Sequence, residues 1–94
     1  MAATVAERIR FWRTLRDVRQ EALAAHIGVT QGTIAEVERG QRRRFQQEPY
    51  LSQMATFLEI PVCFLHVNGP EPATLVARII EAAQQETASV STSC

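Results

Sequence analysis

All ten basic residues of this 94-residue chain are arginine, and nine stand in the first 47 positions: Arg8, Arg10, Arg13, Arg16, Arg19, Arg39, Arg42, Arg43 and Arg44. Against five acidic residues they leave that half at +4, while Arg78 against five acidic residues leaves the remainder at −4. The formal net charge of zero therefore conceals a division: one end can face a polyanion while the other is free for a different contact. The plain alternative is a set of solvated arginine-rich helix faces. Two glutamines, Gln20 and Gln31, open two short apolar-patterned runs around Gly28-Val29-Thr30. Other reactive chemistry is sparse. His26 and His66 stand apart without partners, Cys63 sits inside an apolar run as a small core residue, and Cys94 reads as a tail thiol. None has metal-ligand spacing, and no nucleophile-base-acid arrangement or phosphate loop is visible, so neither an enzyme nor a metal or other cofactor is expected.

The elements that must position these side chains are helices. Length fits one small domain, and 46% apolar residues supply a modest core. The longest apolar stretch, about Ile60 to Val67, falls far short of the roughly 20 residues of a membrane span. No leader-like segment opens the chain, so a cytoplasmic location is expected. Val5, Ile9, Trp12 and Leu15 recur in steps of three and four, which predicts a helix over 5–15. Leu23, Ala24 and Ile27 predict a second over 20–27, stopped by Gly28. Thr30 is a good N-cap for a third helix that turns Ile34 and Val37 inward and ends at Gly40. After a polar segment, "QRRRFQQE", Pro49 starts a fourth helix with Leu51, Met54, Ala55 and Leu58, which Ile60-Pro61 breaks. "VCFLHV" is short enough for a helical turn or a brief strand, and the helical surroundings favour the turn. Asn68-Gly69-Pro70 makes a turn, and Pro72 opens a last amphipathic helix carrying Leu75, Val76, Ile79, Ile80 and Ala83. The Ser/Thr-rich end, residues 87–94, is expected to be disordered. Trp12, Phe57 and Phe64 are expected to pack rather than stack on a ligand.

Two helices joined by a short glycine-containing turn form the helix-turn-helix pattern, whose second helix enters the major groove of DNA. Ala24 permits close helix crossing, Gly28 makes the turn, and Ile34 and Val37 hold the second helix to the core. Many helical hairpins share those features, so the pattern alone is only moderately specific.

The detail is more telling. Ile9-Arg10-x-Trp12-Arg13, Gln20-Glu21-x-Leu23-Ala24, Ile27-Gly28-Val29-Thr30-Gln31, Thr33-Ile34, Glu38-Arg39-Gly40 and Ala55-x-x-Leu58-x-Ile60-Pro61-Val62-x-Phe64-Leu65 together resemble the Xre family of helix-turn-helix regulators. That group includes lambda-type repressors, Cro proteins, controller proteins and many antitoxins. The resemblance covers about residues 6 to 67. It implies an all-α fold with a five-helix lambda-repressor-like DNA-binding domain over 1–67, to which the amphipathic pattern adds a C-terminal helix over 68–86. It implies base contacts from Gln31, Gly32, Thr33 and Glu36, with Gln31 suited to adenine N6 and N7. Phosphate contacts fall to Gln20, Thr30, Arg39, Arg42, Arg43 and Arg44. Arg13 and Glu38 stand where the family commonly has a structural ion pair. Each has a plainer reading as helix surface or loop.

Departures from the pattern are also visible. Asp17 replaces a common glycine, Arg19 replaces a capping Ser or Thr, and Gly32 removes a side chain often used for reading. The loop between Gly40 and Ala55 is about two residues longer than the usual form. One recognition helix gives few contacts, so a homodimer on double-stranded DNA is expected, with Leu75, Val76, Ile79, Ile80 and Ala83 as its dimerisation stripe. The alternative is that this stripe packs on its own core. A sequence-specific repressor is the leading reading. An antitoxin or adaptor using the last helix and "PVCFLHV" for a protein partner is the other. With no sensing domain visible, no small-molecule ligand is expected, and operator, target genes and sign of regulation are not encoded legibly.

Overall fold

A computed structural model describes residues 3 to 84 of the protein. Five α-helices follow one another: α1 Val5–Leu15, α2 Gln20–Ile27, α3 Gln31–Glu38, α4 Tyr50–Leu58 and α5 Pro72–Gln84. Among the described residues there is no strand, and the fold is all-α. No helix among them is long and apolar enough to cross a membrane.

Local chemistry explains most boundaries. Thr4 and Glu7 cap each other's backbone at the start of α1, both at 3.1 Å, satisfying two amides that the first turn leaves open. Asp17 takes a left-handed conformation, φ 56°, in the turn that follows. A short acidic side chain makes that conformation less costly there than most residues would. Arg19, at the N-cap of α2, makes no side-chain cap, as its chemistry implies. Gly28 ends α2 at φ 79°, a conformation open to glycine at little cost, and the amide of Val29 then closes back on Ala24 O at 2.9 Å. Thr30 caps α3 by accepting from the Thr33 amide.

Ile9, Leu23, Ile34, Val37, Met54, Leu58 and Leu65 fill the core, with Trp12 stacked on Phe64 at 5.2 Å between ring centres. Cys63 packs half-buried against this cluster, and Cys94 lies outside the described residues. Gly69 is required by contact rather than by φ: a Cβ there would lie 1.8 Å from Cys63 O.

The helical turn expected in "VCFLHV" is a single 3₁₀ turn, Val62–Phe64, because Pro61 precedes it and the Asn68-Gly69-Pro70 turn closes in behind. Three expectations need correction. The "QRRRFQQE" segment is not simply polar: Arg43–Gln46 form a 3₁₀ turn that Phe45 anchors on Tyr50, their rings 4.7 Å apart. Leu75, placed in the dimerisation stripe, is 6% exposed and belongs to the protomer's own core, where α5 meets α1. The histidines are not without neighbours, since His26 stacks on Phe57 at 4.6 Å and His66 Nε2 lies 3.4 Å from Glu48.

Candidate nucleic-acid interface

The helix-turn-helix is held from beneath by one ion pair. Arg13, on α1, meets Glu38 at the end of α3 with both prongs, 2.5 and 3.0 Å, and donates to Val18 O at 2.8 Å. Their side chains are 14% and 4% exposed. A carboxylate that buried needs its charge met by geometry of this quality, and removing either partner would strand the other. The pair fixes the tilt of α3 on α1.

From Glu38 the order passes outward. Its Oε1 also accepts from Gln20 Nε2 at 3.0 Å, and Gln20 Oε1 accepts from Gln31 Nε2 at 2.6 Å. Glu38 is an acceptor only, so the amine side of Gln20 must face it and the carbonyl side must face Gln31. This leaves Gln31 with its carbonyl oxygen and one N–H uncommitted. Adenine presents the complement in the major groove, an N6 donor beside the N7 acceptor. The amide thus reaches the surface with its sense already chosen by a buried carboxylate on the same helix.

Around it, α3 turns Ile34 and Val37 into the core and leaves Gln31, Gly32 and Arg39 exposed, with Thr33, Ala35 and Glu36 half-exposed. Thr30 and Thr33 share a hydroxyl contact of 2.9 Å at the helix start. A Cβ on Gly32 would meet nothing nearer than Thr30 Oγ1 at 3.9 Å, so the fold itself does not require glycine there. Beyond α3, Arg42 adopts φ 54° and reaches back to Glu36, Nε to Oε2 at 2.5 Å. That hydrogen bond and the charge behind it hold the Glu36 carboxyl below its usual range. Arg44 lies over the Phe45 ring at 5.2 Å and Arg43 stands exposed beside it.

The arginine count needs a correction here. Arg8 is fully buried, Arg13 is spent on Glu38, Arg16 pairs with Glu59 at 2.6 Å and Arg42 with Glu36, so four of the nine do not present free charge to a polyanion. Carbonyl groups and carboxylates of the second half draw in Arg8 and Arg16, while Arg13 is held within the first half. Among the described residues the other five, Arg10, Arg19, Arg39, Arg43 and Arg44, engage no carboxylate. Arg10 was not singled out by sequence reasoning, yet it lines a cleft of about 320 Å³ with Gln20, Ala35 and Arg39. Its position three residues before Arg13, on the same side of α1, was the available signal.

A helix-turn-helix family profile matches residues 9 to 65. The chain belongs to the Xre and lambda Cro-like helix-turn-helix family. It is a DNA-binding helix-turn-helix regulator. No curated protein and no solved structure matches it.

Proposed function

We propose that the protein is a sequence-specific repressor that binds a two-fold symmetric operator as a homodimer. The observation that carries this reading is the Gln31 amide, oriented through Gln20 by Glu38 and free on its outer edge. Gly32 lets backbone approach the groove, and Thr33 and Glu36 flank it as further base contacts. Gln20 with the α2 N-terminus, Thr30, Arg39, Arg43 and Arg44 supply phosphate contacts, and Arg10 joins Arg39 across their shared cleft. Guanidinium groups held this close to a reading helix supply salt-dependent affinity, and the amide supplies discrimination of about 1 to 3 kcal/mol per good bidentate contact.

One such face gives a small interface, which favours pairing of half-sites about one DNA turn apart. With Leu75 consumed by the core, the dimer contact falls to the outer side of α5, where Val76 is half-buried and Ile80 is 51% exposed. Ile79 and Ala83 lie outside the residues whose side chains are described. The adaptor reading would leave the Gln20–Gln31 pair and the exposed arginines without a role, and is the weaker for it.

A random-pool DNA selection with the purified chain tests the proposal. Enrichment of an inverted repeat, bound with two protomers per duplex, supports it. Enrichment of nothing, with binding that depends on salt alone, overturns it and turns attention to a protein partner.

A further inference from the structure

The Glu36 and Arg42 pair has no evident structural duty. Their side chains are 33% and 55% exposed, and ion pairs this open contribute little to stability. The pair nevertheless lies on the flank of the recognition helix, and it is made by a non-glycine residue in a left-handed conformation. That backbone turn brings the Arg42 guanidinium back along α3 by six residues instead of letting it extend toward a flanking phosphate.

The chemistry left over after the pair forms is specific. Arg42 uses Nε on Glu36, so the four N–H groups on its two terminal nitrogens remain. A guanidinium presented by that edge matches the two acceptors of guanine, O6 and N7, which no other base offers together in the major groove. Glu36 keeps Oε1 uncommitted, and a carboxylate oxygen in the groove can accept from the N4 amine of cytosine. Guanine and cytosine carry those groups side by side within one base pair. Alone, Glu36 would be repelled by the phosphates; with Arg42 bound to it the unit is neutral, and Arg42 has already lost much of the rotamer freedom that binding would otherwise cost.

Resting on the DNA-reading assignment above, we propose that Glu36 and Arg42 act as one composite reader of a G·C base pair, Arg42 donating to guanine and Glu36 accepting from its cytosine. Arg42 is thereby moved from the phosphate-contacting group, where its place in the arginine run had put it, to the base-reading group. Arg43 and Arg44 remain with the phosphates.

The test uses the full chain and the random-pool selection. The wild type is selected first; if it enriches no sequence, the DNA-reading assignment fails and this proposal fails with it. Once a site is in hand, Arg42→Lys, Arg42→Ala and Glu36→Gln are titrated against duplexes in which each position of a half-site is replaced in turn. Arg42→Lys keeps the charge and loses the fork. The expected result is that it lowers preference for guanine at one position per half-site by about tenfold or more, leaving other positions and the salt dependence unchanged. Glu36→Gln lowers preference at that same base pair. Two results overturn the proposal. In one, Arg42→Lys retains full preference while Arg42→Ala weakens every sequence alike and reduces the salt slope by about one, the signature of a phosphate clamp. In the other, the two substitutions act at different base pairs, which makes them separate readers.

Discussion

Arg8 of the first helix and Arg39 and Arg43 around the third are the same residue type put to opposite use. Arg8 is 0% exposed and spends its donors on Pro70 O at 2.6 Å, Ala3 O at 3.0 Å, Val67 O at 3.3 Å and Glu71 at 3.1 Å. It pins the turn that leads into α5 against α1. Arg39 and Arg43, in contrast, are exposed and engage no carboxylate among the described residues. A buried guanidinium is tolerable only when its donors are met by fixed acceptors, whereas an exposed one is available to an incoming phosphate. The difference between the two groups separates stability from binding, and it can be broken by substitution.

The largest expected effect is on Arg8. Arg8→Ala leaves three carbonyl groups without their donor and opens space beside α1, a loss of about 3 kcal/mol in urea unfolding. The salt dependence of DNA binding by the folded protein should not change. If stability is unaltered, the buried arginine is not the clamp described.

Next is Gly32→Ala. Because the added methyl group meets nothing nearer than Thr30 Oγ1 at 3.9 Å, an ordinary contact, helix propensity should raise stability by about 1 kcal/mol, read as a higher unfolding midpoint. Affinity for the selected site should fall, since the methyl group occupies the space through which backbone and DNA approach. A stabilised variant with full affinity would remove Gly32 from the interface.

Arg43→Ala should do the reverse of Arg8→Ala. Stability stays within about 0.5 kcal/mol, while the slope of log affinity against log salt falls by about one and all sequences weaken alike. The smallest effect is expected at Arg16, whose pair with Glu59 is open to water at 45% and 75% exposure. Arg16→Ala should cost less than about 1 kcal/mol in unfolding and leave DNA titrations unchanged.

What was legible in the sequence follows the same division. Helix starts and stops are local chemistry, so Gly28, Thr30 and Pro49 marked their boundaries correctly, and the apolar steps of three and four identified the inward faces of α1 to α4 except at Leu15, which is 52% exposed at the end of α1. Gln20 and Gln31 could be picked out because both open helices on one turn. The bonds from Glu38 through Gln20 to Gln31 could not, because 18 and 11 residues separate the partners and only packing of α2 on α3 closes those gaps. Arg8 was hidden for a stronger form of the same reason: its acceptors lie about sixty residues away, on a turn whose path no local pattern gives. The return of Arg42 to Glu36 was not legible either, since its left-handed backbone is not signalled by residue type.

The central claim is that α3 reads sequence through an amide whose orientation is set from within the fold. The most direct measurement is the affinity of wild type and Gln31→Ala for the selected duplex and for a random duplex, each at two salt concentrations. The account predicts a loss of about tenfold to a hundredfold on the selected duplex, no change on the random one and an unchanged salt slope. Equal weakening on both duplexes, or none on either, would contradict it.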